Sequence, residues 1–420
     1  MKTLKKSNYI RFHLLFFFTF NVLLIFGQTS SNNNYIIEKG KGGTVQVLIF
    51  DKIDNNTEIK YTGNASNIKW YEYKDGTSAE ITNLKNFYPE NNKGYMLKAN
   101  GKKTLYWVFD YSQYTPIFSD LNPIKDNISP CESVNIDIKG NIPTFIYQDL
   151  AGNKMQLKRK FKINYTTLTW KNQEWIEKDT TQTIVLPTKN KIVLPTPLTI
   201  TTFKLSGDSF SEKLNLQPTI ITSSSFVPSA VKTKIITTTT TREALNENNR
   251  PSQTTQLDGS APLEILFTAL STSKVTNHIW KIFKDKELIL SRNVDEHKYT
   301  FTEAGNYKVQ LLATNNQCTD STSVEIAVSE SQIHAPSVFT PNNDGKNDEF
   351  RVAYQSIVEF EGTIINRWGR VLFKWDNPEK GWDGKVNGKS VSEGTYFYII
   401  NAKGSDGKKY KLKGHINLFR

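Results

Sequence analysis

Apolar and polar residues alternate with a period of two along most of this chain, and runs with helical spacing are nearly absent beyond residue 27. Such alternation predicts strands that bury one face, so the fold class is all-β. In "TVQVLIFD" the apolar positions Val45, Val47 and Ile49 alternate, and "IKWYEYKDG" (68–76) is β-branched and aromatic up to a turn. "GYMLKANGKKTLYWVFDYS" (94–112) predicts a hairpin, because Asn100-Gly101 supplies the two positive-φ residues of a tight type I′ turn. These strands predict a first sandwich over 28–126. A second, over 127–220, takes in "SVNIDI" (133–138), a hairpin in 144–163 turning at Ala151-Gly152-Asn153, and "LTITTFKL" (198–205). Residues 221–258 are rich in Ser, Thr, Asn and Pro and are expected to be a linker, although the threonine run 237–241 also suits a strand. Alternation resumes over 259–330 and again over 334–420. The architecture expected is a string of small antiparallel immunoglobulin-like sandwiches.

Residues 1–27 break this pattern. Lys2, Lys5, Lys6 and Arg11 precede the apolar run Phe12–Phe26, which reads as a secretory signal peptide ending at Gly27. The run is shorter than the roughly 20 residues a spanning helix needs. No Cys follows it to accept a lipid. Four of the 53 basic residues and no acidic one leave with the signal, so the formal charge falls from +12 to +8. That excess is spread out: Lys158, Lys160 and Lys162, like Lys409, Lys411 and Lys413, recur at every second position and predict solvated strand faces.

Cys131 and Cys318 fall in different expected domains. Export permits a bridge, but pairing requires their Cα atoms within about 7 Å, and the expectation is two unpaired thiols. Trp170 and Trp175 are expected in the core of their sandwich.

Over 259–330, Pro262, Phe267, Trp280, Tyr299-Thr300-Phe301 and Gly305-Asn306-Tyr307-Lys308-Val309 resemble the PKD domain, an immunoglobulin-like sandwich of surface proteins. "WKIFKDKEL" departs from that family's usual Gly-Asp-Gly ending. The segment 334–420 resembles the gliding-motility-associated C-terminal domain, the type-B sorting domain of the Bacteroidota type IX secretion system. The residues that carry the resemblance are Phe339-Thr340-Pro341-Asn342, Asp344-Gly345 and Asn347-Asp348-Glu349-Phe350, then Asn366-Arg367-Trp368-Gly369 and Trp382-Asp383-Gly384. Gly394-Thr395-Tyr396-Phe397-Tyr398 and the stretch to Arg420 complete it. The resemblance implies a β-sandwich sorting domain read by a type IX translocon, with a companion outer-membrane barrel of the PorP/SprF kind. Ala335-Pro336-Ser337-Val338 stands where the family often has Ile-Pro-Asn-Ala, and Asn343 where Gly is frequent. Within the segment, Trp368 and Trp382 are expected to be core residues.

"FTPNNDGKNDEF" (339–350) also has the look of a calcium loop. With Gly345 at position 6 of an EF-hand register, Arg351 occupies position 12, where a bidentate carboxylate belongs, and Thr340 replaces the first Asp. That reading fails. A looser calcium site of Asn342, Asp344 and Asp348 stays open beside the favoured one, a turn whose Asn and Asp side chains cap backbone amides.

Other chemistry is absent from the sequence. The four histidines after the signal, His278, His297, His334 and His415, form no His-Glu-x-x-His pair, and neither a Gly-x-Ser-x-Gly elbow nor a phosphate-binding loop occurs. No patch interleaves clustered Arg with aromatics, which argues against nucleic acid. The expectation is a non-enzyme, without cofactor, exported through the inner membrane and then by type IX secretion to the surface or medium, its earlier sandwiches binding or spacing. Two other readings fit the same residues: an accessory part of the gliding or secretion apparatus, and a glycan-binding surface protein using Trp70, Trp107 or Trp175.

Overall fold

The computed structural model describes residues 29–126, 128–186, 191–254, 256–272 and 275–420; the expected signal peptide lies outside them. Strand dominates, and the α-helix Ser209–Lys213 is little more than one turn. The chain divides into two compact units.

The first unit comprises the chain up to Ile117 together with Asn141–Lys160 and Gly207–Thr219. Its six-stranded sheet runs in the order Tyr35–Lys39, Val45–Phe50, Lys102–Asp110, Lys93–Ala99, Ile68–Lys74, Thr77–Thr82. The hairpin forms as expected, with Ala99 opposite Lys102 and φ of 48° and 75° at Asn100 and Gly101. Val45–Phe50 and Lys102–Asp110 pair in parallel, a departure from the all-antiparallel expectation. Both strands are apolar at consecutive positions (Val47 to Phe50, Leu105 to Phe109) because both faces of this sheet are buried. Leu48, Phe50, Trp70, Tyr106 and Val108 pack to one side. Val47, Ile49, Trp107 and Phe109 pack to the other, against Phe145, Tyr147, Phe210 and Leu214 of the two returning segments.

Segments 141–160 and 207–219, expected in the sandwich after the 126/127 boundary, come back to cover the first sheet. A buried ion pair ties these segments together. Arg159 lies between exposed Lys158 and Lys160, and its Nε donates to Asp208 Oδ2 at 2.5 Å. Asp208 also caps the short helix, accepting from the Phe210 and Ser211 amides, and accepts the Tyr111 hydroxyl at 2.9 Å. Such a pair is costly to desolvate, and its many partners are what make it tolerable. Burial, followed by the Asp208 charge, pushes the Tyr111 hydroxyl up to about 12.

The second unit holds the rest of the chain. Its Lys162, Lys409, Lys411 and Lys413 are exposed, as are Lys158 and Lys160 of the first unit, in keeping with their alternation. Over 259–330 two sheets enclose one core. One contains Thr233–Thr239, Leu263–Ser271 and Glu296–Phe301; the other contains Asp258–Gly259, Thr319–Val328, Gly305–Thr314, Asn277–Lys284 and Glu287–Asn293. Leu263, Ile265, Phe267, Trp280, Phe301, Tyr307 and Val309 fill the space between them.

Two expectations are corrected here. The segment 221–258 is not simply a linker: Thr233–Thr239 pairs antiparallel with Leu263–Ser271, so β-branched threonines and Ile235 supply a strand that overlaps the threonine run left open at 237–241 and begins four residues before it. A second piece of it docks on the C-terminal domain. The Asn246 carbonyl and the Asn248 amide both bond Tyr354 backbone, and Asn246 Nδ2 donates to the Val352 and Pro378 carbonyls, each at 2.7 Å. Cys131 and Cys318 form a disulfide, with Cα atoms 5.6 Å apart. Cys318 sits in the turn between Gly305–Thr314 and Thr319–Val328, where Asn315 caps its amide and also donates to the Ser229 carbonyl. That turn thereby reaches the preceding domain, a proximity that sequence separation does not reveal.

Trp170 and Trp175 are half-buried rather than core. They meet edge to face with ring centres 5.2 Å apart, and Trp175 Nε1 donates to the Leu270 carbonyl.

Candidate functional site

The C-terminal domain is a sandwich whose five-stranded sheet runs Val338–Phe339, Lys409–Leu418, Gly394–Gly404, Ile357–Ile365, Val371–Trp375. Its candidate residues, scattered over 82 positions from Phe339 to Arg420, sort into three groups by what they touch.

The first group packs. Phe339, Phe350 and Trp382 are fully buried. Trp382 lies with ring centres 5.5 Å from Phe339 and 5.2 Å from Tyr396, and Phe350 is 5.4 Å from Tyr398. Phe350 and Trp382 also exchange both backbone hydrogen bonds, and Trp382 Nε1 donates to the Lys385 carbonyl at 2.9 Å. Trp382 is thus the core residue its sequence context suggested. Tyr396 and Tyr398 point inward because they alternate with exposed Thr395 and Phe397. Trp375, buried with its ring against Gly362, belongs to the same cluster. It went unremarked in the sequence, although "VLFKW" places it in phase with inward Phe373.

The second group closes turns. In 342–348, Asp348 accepts from the Asn343 and Gly345 amides at 2.6 and 2.8 Å, and Asp344 accepts from the Lys346 amide at 2.7 Å. Asn342 Oδ1 accepts from the Asp344 amide, and the Thr340 amide donates to the Asn347 carbonyl. The carboxylate oxygens proposed for calcium are thus turned onto their own loop. Asp383 accepts from the Lys385 amide and Thr395 donates to Asn417. Gly384, at φ 73°, is where a side chain fits neither the backbone nor the space: a Cβ would meet Leu418 at 3.0 Å and Pro341 at 3.3 Å. The terminal Arg420 closes this corner, donating from its guanidinium to the Val391 and Gly384 carbonyls while Glu393 accepts its amide. The beginning, middle and end of the signature therefore meet at one point.

The third group projects into solvent, which corrects the burial expected of Trp368. That residue is 80% exposed at the tip of the turn 366–370. Asn366 Oδ1 accepts from the Trp368 and Arg370 amides, the Gly369 amide bonds the Asn366 carbonyl, and the Arg367 guanidinium lies 5.3 Å from the Trp368 ring centre. A tight turn has no inward position for its apex, whatever the apex side chain.

Two further observations bear on function. Trp70 and Trp107, candidates for a glycan platform, are buried in the two cores of the first unit, and stacking a sugar needs an open ring face. In 259–330, Ser271 Oγ lies 2.9 Å from His278 Nε2, and His278 Nδ1 lies 2.8 Å from Asp295 Oδ1. No motif flagged these three, which come from separate strands and a loop. Ser271 is also bonded to Thr233 at 2.7 Å and Asp295 is 90% exposed, so the arrangement fastens the Thr233–Thr239 strand and its carboxylate stays solvated.

Residues 333–418 match the family described as the CHU_C type IX secretion signal domain, and residues 123–223 match a fibronectin type III domain. No curated protein matches the sequence significantly. Solved structures that match include a calcium-stabilised, ice-binding adhesin of an Antarctic bacterium, at 8% identity and TM-score 0.21 over 86% of this chain and 93% of that one. Another is dimeric latent PorU of Porphyromonas gingivalis, at 10% identity and TM-score 0.18 over 75% and 35%. Sidekick-1 immunoglobulin domains 1–5 match at 11% identity and TM-score 0.23 over 93% and 81%. A type IX secretion signal domain at 333–418, preceded by a fibronectin type III-like domain, implies a protein delivered to the cell surface or the medium and in contact with the type IX machinery on the way.

Proposed function

We propose that this is a non-enzymatic surface or extracellular protein whose C-terminal domain is its sorting signal and whose preceding sandwiches bind a surface partner or act as spacers. The observation that carries the reading is the convergence of the signature: Phe339, Phe350, Trp382 and Tyr396 form one core, and Pro341, Gly384 and Arg420 one corner. A signal read by a machine must keep one shape through export, and this core and clamp provide it. Export would begin with residues 1–27 at the inner membrane, and a PorP/SprF-like barrel would receive or anchor the product. The loop 342–348 serves as a self-capped turn rather than a calcium site, a reading supported by backbone amides that already engage both oxygens of Asp348 and one of Asp344. The test is protease shaving of intact type IX-competent cells that express the full chain or a chain lacking 334–420. The full chain is degraded at the surface and the shortened one is protected in the periplasm. Equal surface exposure of both would overturn the reading.

A further inference from the structure

Most of the C-terminal signature is accounted for by packing and turn closure; Arg367 and Trp368 are not. An exposed Trp is expensive to leave in water, and this one stands on a turn whose backbone is capped twice by Asn366, with a guanidinium against its ring. Beside the turn, the outer face of the sheet is apolar at one end. Val371 pairs with Ile365, which pairs with Phe397, and Val371 and Phe397 are 49% and 39% exposed. Across from Phe397 stands His415, and from there the outer positions of the same strand are Lys413, Lys411 and Lys409. An aromatic tip, an apolar row and a basic stripe therefore lie along one flank.

We propose that this flank, with Trp368 as its anchor, is the surface by which the C-terminal domain docks on an acidic protein surface of the secretion machinery; the inference rests on the sorting role argued above. A Trp supported by Arg is the composition of a binding hot spot, and a turn already closed by its own hydrogen bonds leaves little backbone to order on contact. The lysine row selects for carboxylates on the partner and speeds encounter.

The test compares, in full chains expressed in type IX-competent cells, Trp368→Ala, Trp368→Phe, the pair Lys411→Glu with Lys413→Glu, and the chain lacking 334–420. Surface fraction is read by shaving, and folding by trypsin resistance of the periplasmic protein. The expected result is that Trp368→Ala and the lysine pair stay folded but reach the surface about ten-fold less or worse, as for loss of a hot spot. Trp368→Phe, which keeps a ring, recovers most of the loss. Wild-type surface levels for Trp368→Ala and for the lysine pair, with the deletion retained, would overturn the docking proposal alone. A deletion chain that reaches the surface would overturn the sorting role itself. Purified full chain that binds anionic vesicles through Trp368 would likewise refute the protein partner in favour of a membrane.

Discussion

Trp382 and Trp368 provide an internal contrast, since two tryptophans of one signature occupy opposite environments. Replacing Trp382 by Ala removes a fully buried indole in contact with Phe339 and Tyr396 and leaves the Lys385 carbonyl without its donor. Burying an aromatic of this size withdraws roughly 150–250 Å² from water, which at about 25 cal/mol per Å² is about 4–6 kcal/mol, and partial collapse of the site returns some of it. A loss of about 3–5 kcal/mol follows. Trp368→Ala, at an 80% exposed position, changes stability by less than about 0.5 kcal/mol. With eight tryptophans in the chain, fluorescence cannot isolate either site. Hydrogen exchange of peptides from Gly394–Gly404, the strand that sets Tyr396 against Trp382, can. Opening free energies there should fall steeply in Trp382→Ala and stay unchanged in Trp368→Ala. Equal effects of the two substitutions would refute the assignment of one to the core and the other to the surface.

Other outcomes follow from the second unit. Removing the Cys131–Cys318 bridge by Ser substitution frees a long loop and should lower resistance to denaturant by about 3–5 kcal/mol; an unchanged midpoint would show that the bridge constrains nothing. Burial, followed by the Arg292 charge, depresses the His297 pKa, so the unfolded chain binds a proton that the folded one resists. Stability of the 259–330 sandwich is then full above about pH 6.5 and falls as pH drops toward the folded value, and His297→Gln flattens that slope in melts between pH 7 and 5. Asp344→Ala, which uncaps the Lys346 amide, should lower secretion whether or not calcium is added. Micromolar calcium binding by calorimetry, lost in that variant, would reverse this conclusion.

Much of the fold could be read from period-two alternation and turn chemistry, because both are local. The Asn100-Gly101 hairpin and the inward phase of Tyr396 and Tyr398 are examples. What escaped was long-range. The strands Val45–Phe50 and Lys102–Asp110 carry unbroken apolar runs, a sign of burial on both faces, yet nothing nearby tells that 141–160 and 207–219 supply the second cover. Thr233–Thr239 is polar by composition but β-branched, and the partner strand decides the outcome. Trp368 was misplaced because residue type was weighed above position: an apolar residue at the apex of a four-residue turn has nothing to pack beneath. For the candidate site, the sequence identified the residues and the structure divided them into those that shape the domain and the pair, Arg367 and Trp368, that stands in solvent.

The central claim is that the C-terminal domain directs export. Its strand edge at Tyr354 is completed by Asn246 and Asn248, and the sandwich before it takes its edge strand from Thr233–Thr239, so the unit to transplant begins near residue 229. The most direct measurement is the surface fraction of a folded reporter carrying a cleavable signal peptide in front and residues 229–420 behind, expressed in type IX-competent cells. The reporter is expected to become accessible to protease on intact cells, and loss of the translocon to return it to the periplasm. A reporter that remains periplasmic in the competent host would contradict it.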